Sequence, residues 1–240
     1  MKLLIVLVTY NRLAYTKRTL RSLWDTIEVP YYLLIIDNNS DDGTQEYLGN
    51  LVERNRADHV IFNTENYYPG KATNIGWTEG LEEFEATHLM RLDNDMELDK
   101  GWDWAAEDYF KKIPELGQLG LDHDAIEYPK AKLRVLEING KTLNPWPGCV
   151  GGPNIIRRTI FNTVKYPELL WNDGRQTPLQ EDSLFSKAIK AQGYLVGHMS
   201  ENLARTFAVK SNWEDYPEYY LKTMSDRGYD DNVKLIKEKL

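Results

Sequence analysis

The chain opens with Leu3-Leu4-Ile5-Val6-Leu7-Val8, an apolar run without a polar interruption. Such a run fits a strand covered on both faces, as in a parallel sheet, better than one with a wet side. Beyond it Leu20, Leu23 and Trp24 recur at helical spacing. Residues 32–36 predict a second strand, halted by Asp37-Asn38-Asn39-Ser40-Asp41-Asp42-Gly43. Asp42 with Gln45 three residues on has the form of a capping box, and the helix it would open carries Leu48, Leu51 and Val52 on one face. His59–Phe62 reads as a third strand, and residues 71–84 as a helix with Ala72, Ile75, Leu81 and Phe84 inward. Residues 88–92 form a fourth strand that runs into Asp93-Asn94-Asp95.

Strand–helix alternation at this pitch predicts an α/β fold, a mostly parallel sheet with helices on both faces. Ligands of such sheets bind beyond the carboxyl ends of the strands. Three polar clusters stand at those ends: Thr9-Tyr10-Asn11-Arg12, residues 37–42, and Asp93-Asn94-Asp95. They are expected to meet in one crevice. The second half is less regular. Asn139-Gly140 between apolar runs predicts a type I′ hairpin, residues 144–153 a constrained loop rich in Pro, Gly and Trp, and residues 181–192 a helix with Leu184, Phe185, Ala188 and Ile189 on one face. The charged, aromatic tail is helical towards its end. We expect one domain over 1–212, with a nucleotide-binding half (1–98) and an acceptor half (99–212), and a helical extension over 213–240.

Charge and cysteine content narrow the function. With 29 basic against 37 acidic residues the net charge is −8, and no basic block exists to neutralise phosphates along a nucleic acid, so nucleic acid is not an expected partner. Converging carboxylates would instead hold a cation. Cys149 is the single cysteine, which rules out an internal disulfide and a thiolate metal cage and suits a reducing compartment. The opening apolar run is too short for a secretory signal, and nothing approaches the roughly 18 apolar residues of a membrane span. A cytoplasmic protein without an integral membrane segment is the expectation.

Several residues could carry chemistry. Asp93 and Asp95, two apart just past a buried strand, could place one carboxylate on Mn2+ or Mg2+ and the other on a neighbouring hydroxyl, since these ions take few protein carboxylates beside phosphate oxygens and water; Asp-Asn-Asp is also ordinary turn chemistry. Asp37 could accept from the N3–H of a uracil-type base, or simply begin its turn. Gly70 and Lys71 stand near a helix start, where N–H groups favour phosphate, although a ligand-free helix start looks the same. Glu181-Asp182 could supply a general base or merely favourable charge in a first helical turn. Trp146, between two prolines, offers an aromatic face to an acceptor sugar.

In order, these segments resemble glycosyltransferase family 2 and its GT-A relatives. Val8-Thr9-Tyr10-Asn11-Arg12 and residues 36–44 are similar to that family's first two strand ends. Asn66, Gly70, Ala72, Asn74 and Gly76 resemble its Asn/Gly/Ala signature, Leu92-Asp93-Asn94-Asp95 its Asp-x-Asp motif, Gly151-Gly152 with Arg157-Arg158 the segment before the acceptor site, and Glu181-Asp182 with Gly193-Tyr194 its Glu-Asp helix. The resemblance covers residues 3–206. It implies a metal-dependent inverting glycosyltransferase using a nucleotide-sugar donor, with a uracil or thymine base favoured. Thr9, Tyr10, Arg12, Asp37 and Asn39 would hold the nucleoside; Lys71 and Asn74 would lie near the base or diphosphate; Asp93, with Asn94, would approach the ribose. Asp95 would bind Mn2+ or Mg2+, and Asp182 would be the catalytic base, with Trp146, Gly152 and Glu181 towards a glycan, lipid-carrier, protein or small-molecule acceptor.

Two departures stand out. Relatives often carry Arg where this helix has Lys187 and Lys190, and many place a metal-serving histidine about a dozen residues beyond the Gly-Tyr pair. Here that stretch reads Leu203-Ala204-Arg205-Thr206-Phe207, with His198 the nearest histidine; either the metal has fewer protein ligands or Arg205 shares in neutralising charge. Other nucleotide enzymes fit worse. A dinucleotide oxidoreductase needs glycines after the first strand, a nucleotidylyltransferase a Gly- and Arg-rich loop there, and a haloacid-dehalogenase-type phosphatase its paired Asp after the first strand. A nucleotide-sugar or carbohydrate-binding protein without catalysis is the rival from another class.

Overall fold

The computed structural model describes residues 1–121, 135–144, 150–168, 180–207, 209–226 and 230–239. Its first half alternates as the sequence predicts: β1 (Leu3–Thr9), α1 (Leu13–Thr26), β2 (Tyr31–Asp37), α2 (Thr44–Glu53), β3 (His59–Phe62), α3 (Tyr68–Glu83) and β4 (His88–Asp93). There follow β5 (Met96–Leu98), α4 (Trp102–Lys112), β6 (Leu116–Gly120), β7 (Leu136–Ile138), β8 (Lys141–Asn144), β9 (Asn154–Arg157), α5 (Arg158–Phe161), α6 (Gln180–Ala191), β10 (Leu195–Met199) and β11 (Ala204–Thr206). A 3-10 turn (Lys210–Asp215), α7 (Pro217–Asp226) and α8 (Asp230–Lys239) complete the described chain.

Among the described residues nine strands make one sheet, ordered β3-β2-β1-β4-β9-β6-β10-β8-β7. The run β3-β2-β1-β4 is parallel, and β6 and β10 are parallel to each other. Antiparallel β9 lies between β4 and β6, and the β7–β8 hairpin adds an antiparallel edge. That hairpin turns on Asn139 (φ 49°) and Gly140 (φ 75°), the paired positive angles of a type I′ turn.

Alternation along β1 divides the core. Leu3, Ile5 and Leu7 pack on one face with Leu20 and Leu23 of α1, Leu48 of α2 and Trp102 of α4. Leu4, Val6 and Val8 pack on the other with Ala72 and Trp77 of α3 and Phe185 and Ile189 of α6. Each fully buried aliphatic side chain contributes about 1.5–3 kcal/mol, so the two-sided burial of β1 makes it the sheet's anchor. Three helix faces differ from the sequence expectation. On α3 the buried face is Gly70, Ala72, Thr73, Asn74, Gly76, Trp77 and Gly80, with Ile75 half-buried. A Cβ at Gly76 would lie 2.8 Å from Val6, and one at Gly80 2.8 Å from Leu4, so close approach of backbone to strand orients this helix. Val52 of α2 and Leu184 and Ala188 of α6 face outward; on α6 the inward set is Phe185, Ser186 and Ile189.

The capping box does not form. Asp42 accepts instead from the Thr44 N–H (3.1 Å) and hydroxyl (2.6 Å) and from the Leu13 N–H (2.9 Å), and Gln45 Nε2 reaches Asp37 at 2.9 Å. One carboxylate thus joins the starts of α1 and α2 and fixes how the first two strand ends face each other. At the C-terminal end Trp213, Tyr220 and Ile236 form a small cluster of their own.

Candidate active site

β1 ends at Thr9, and the chain leaves it through two residues in left-handed backbone, Asn11 (φ 54°) and Arg12 (φ 62°). The Asn11 N–H donates to Ser40 Oγ at 2.7 Å, and its Oδ1 accepts from the Asp41 N–H at 2.9 Å. From the β4 end, Asn94 Nδ2 lies 3.0 Å from Thr9 Oγ1, from the Asn11 carbonyl and from Thr16 Oγ1. The three polar strand ends therefore do meet: buried Asn94 ties the β4 end to the β1 end, and Asn11 ties the β1 end to the β2 end.

Asp37 is fully buried, and its carboxylate accepts from the Ser40 N–H (2.9 Å), the Ser40 hydroxyl (2.5 Å) and Gln45 Nε2 (2.9 Å). Asn39 is exposed on left-handed backbone (φ 64°). Tyr10 receives Lys222 Nζ on its hydroxyl at 3.1 Å. Lys71 Nζ stands 4.0 Å over the Tyr67 ring. Asn74 is buried and clamps the backbone of Tyr166, donating to its carbonyl (2.8 Å) and accepting from its N–H (3.0 Å). Gly152 adopts left-handed backbone (φ 57°). Trp146 lies outside the described residues.

Two buried arginines organise the charges. Arg12 is 6% exposed; Nη1 meets Asp95 Oδ2 at 2.8 Å, Nη2 meets Asn94 Oδ1 at 2.6 Å, and the guanidinium lies 4.4 Å from the Tyr219 ring centre. Its Nε–H is buried without a hydrogen-bond partner. Arg91, 3% exposed in the middle of β4, binds three carboxylates: Asp93 through Nε (2.9 Å), Asp182 through Nη1 (2.9 Å) and Glu181 through Nη1 (3.3 Å). Burial opposes its charge, but Asp93 and Asp182 outweigh that and hold its pKa well above the usual range.

Glu181 is buried at the start of α6 and also accepts from the Gly70 N–H at 3.2 Å. Burial pushes its pKa up to about 7; Arg91 pulls against this, and the negative charges of Asp182 and Asp93 add to it. A Cβ at Gly70 would stand 2.8 Å from Glu181 Oε2, so that glycine lets α3 approach α6. Asp182, partly exposed at the same helix start, has Gly151 beside it, where a Cβ would lie 3.4 Å from Oδ2. Asp93 of β4 and Glu181 and Asp182 of α6 thus close around one guanidinium, with α3 packed on Glu181 through Gly70.

Arg91 carries no role in the sequence reading. Its signal was an arginine inside an otherwise apolar strand, which a buried position tolerates only when paired. Tyr166 and Tyr219, packed against the two arginines, left no such signal.

With this geometry in place, the comparison with known families is decisive: the model described as glycosyl transferase family 2 matches residues 4–164. The chain belongs to that family. No curated protein matches it significantly. Among solved structures it is similar to S. aureus TarS residues 1–349 (17% identity, TM-score 0.63, 97% of this chain and 69% of that one). It is also similar to the mannosyltransferase PcManGT of Pyrobaculum calidifontis in complex with GDP-Man and Mn2+ (16%, TM-score 0.68, 92% and 60%), and to GalNAc-T7 with UDP, GalNAc and Mn2+ (16%, TM-score 0.62, 85% and 43%). This family 2 chain therefore spans about two thirds of the TarS fragment and less of the other two, and at these identities the likeness shows the fold, which is of the GT-A type.

Two of these structures hold Mn2+, so the ligands this family 2 chain offers matter. Among the described residues no three His, Cys, Asp or Glu side chains converge as a metal site. Asp95 is already ion-paired to Arg12. Arg205 is turned away to Glu97 (2.9 Å) and Asp99 (2.7 Å), and His198 is buried on β10 against Gly120. A divalent cation on Asp95 would stand against a buried guanidinium of the same sign. The donor set does not fit such an ion.

Proposed function

We propose that this chain transfers a sugar from a nucleoside diphosphate sugar to an acceptor hydroxyl, in one displacement that inverts the anomeric carbon. The observation that carries the reading is the placement of Asp182. Arg91 holds it 2.9 Å away, in the same grip as Asp93, so the Glu-Asp helix and the Asp-x-Asp turn flank one crevice. The acceptor oxygen attacks the anomeric carbon as the bond from that carbon to the diphosphate oxygen breaks. The nucleoside diphosphate leaves with the bonding electrons, and Asp182 takes the acceptor's proton. A partly exposed carboxylate fixed by a charged hydrogen bond is oriented for that task.

Tyr10, Arg12, Asn39 and Lys71 line the donor side in this reading. Thr9, Asp37 and Asn94 act by shaping the strand-end turns, with Asp37 closest to the base, and Asn74 acts by holding the backbone of Tyr166. TarS has been solved with UDP and UDP-GlcNAc, and GalNAc-T7 with UDP; these support uracil, while GDP-Man in PcManGT makes guanine the competitor. Glu181, Gly152 and Trp146 belong to the acceptor side, where a glycan, lipid carrier, protein or small molecule supplies the hydroxyl. Among the described residues no helix is long and apolar enough to cross a membrane.

The test is release of free nucleoside diphosphate from a panel of UDP-, dTDP- and GDP-sugars, with mixed sugar acceptors. Turnover of one donor is expected, and Asp182→Asn is expected to bind that donor while losing about 10²–10⁴-fold in rate. Binding without release would favour the non-catalytic carbohydrate-binding alternative, and full activity in the variant would place the base elsewhere.

A further inference from the structure

The diphosphate that leaves in this reaction needs a cation, and the structure already holds one where the three strand ends meet. Arg12 sits on left-handed backbone three residues beyond β1, 6% exposed, with the rings of Tyr219 (4.4 Å) and Tyr15 (5.8 Å) beside its guanidinium. Of its donors, Nη1 and Nη2 each serve one partner, Asp95 and Asn94, while the Nε–H makes no hydrogen bond of ordinary geometry, with Tyr220 beside the guanidinium. A buried, unsatisfied N–H on a charged group is costly unless something accepts from it, and a guanidinium presents its donors in a fork that matches phosphate oxygens.

Among the described residues the surroundings leave no comparable place for a divalent ion. Asp95 balances Arg12, Asp93 belongs to Arg91, and Glu97 and Asp99, the next two acidic side chains, are engaged by Arg18 and Arg205. We propose that Arg12 is the resident cation of the donor site and binds the diphosphate of a nucleoside diphosphate in place of a divalent metal. This rests on the reading of the crevice as a sugar-nucleotide site. It makes Asp95 the residue that orients Arg12, and it gives the C-terminal segment a task, because Tyr219 of α7 holds the guanidinium in place.

The experiment is calorimetric titration of UDP and GDP into the full chain, first in EDTA and then in Mn2+. One nucleotide is expected to bind in EDTA with a Kd within about threefold of its value in Mn2+, because the anion-binding charge is covalently present. Arg12→Met is expected to weaken binding in EDTA at least tenfold, with Mn2+ recovering part of the loss once Asp95 is released. Arg12→Lys, which keeps the charge but not the fork, should fall between them; thermal melts of each variant confirm that it is folded. Wild-type binding that requires Mn2+ would overturn the inference and leave the transferase reading standing. Binding of neither nucleotide in either condition would overturn both. The wild-type comparison needs no variant, so a misfolded Arg12→Met leaves the test intact.

Discussion

The crevice contains two buried arginines with different charge environments. Arg12 faces one carboxylate, one amide oxygen and two aromatic rings, a balanced setting with a donor to spare. Arg91 faces three carboxylates, and even with a proton on Glu181 the cluster carries excess negative charge. On the proposed function an incoming anion would be repelled by the second region and admitted by the first, and a proton leaving an acceptor hydroxyl would be drawn the other way. The difference would divide the proposed site into a phosphate side and a proton-accepting side.

Removing the cation from the crowded region should have the largest effect. Arg91→Met leaves three carboxylates packed together without compensation, and the cost of stripping a buried pair of one partner is about 3–5 kcal/mol. Urea unfolding at pH 7.5 measures it, and Arg91→Met with Glu181→Gln should recover part of the loss. If the single variant is within 0.5 kcal/mol of wild type (roughly the scatter of neutral surface changes), the cluster is not under the tension described.

Gly70→Ala comes next. Its Cβ would meet Glu181 Oε2 at 2.8 Å and Tyr166 Cβ at 3.2 Å, and overpacking of this kind costs about 1–3 kcal/mol. It should disturb the Arg91 side while leaving nucleotide affinity near wild type. Equal damage to nucleotide binding would show that the two regions are coupled.

The pH dependence of Glu181 follows from its raised pKa. A carboxyl that ionises near 7 when folded and in the ordinary carboxylate range when unfolded holds its proton more tightly in the native state. Its contribution to stability is therefore complete below the unfolded value and is lost as pH rises through about 7. Glu181→Gln should flatten the fall in melting temperature between pH 5 and pH 8 (roughly the span between the two ionisations); an unchanged slope would mean that Arg91 keeps Glu181 charged. The smallest effect is expected for Tyr219→Leu, which removes the ring over Arg12. Loss of that cation–π contact should weaken nucleotide binding by about 0.5–2 kcal/mol, and no change would separate the C-terminal segment from the donor side.

Much of the architecture is legible along the chain. Strand–helix alternation, the three polar strand ends and the Asn139-Gly140 turn are local signals, set by side-chain periodicity and by backbone angles a few residue types tolerate. The helix faces are less legible. Ile75, Val52, Leu184 and Ala188 fit an apolar stripe, yet α3 docks through Gly76 and Gly80 against Val6 and Leu4, because a helix settles where its backbone can come closest to the strands.

The sequence alone determined the family, the strand–helix order and the acidic candidates Asp93, Asp95, Glu181 and Asp182. Tertiary structure decided which cation each of them meets. Arg12 and Asp95 are 83 positions apart, and Arg91 and Asp182 are 91. A buried charge is defined by the neighbour that satisfies it through space, over a few ångströms of poorly screened medium, and no pattern along the chain encodes that neighbour. That the aspartate after β4 meets an arginine from the end of β1 was therefore decided only by folding.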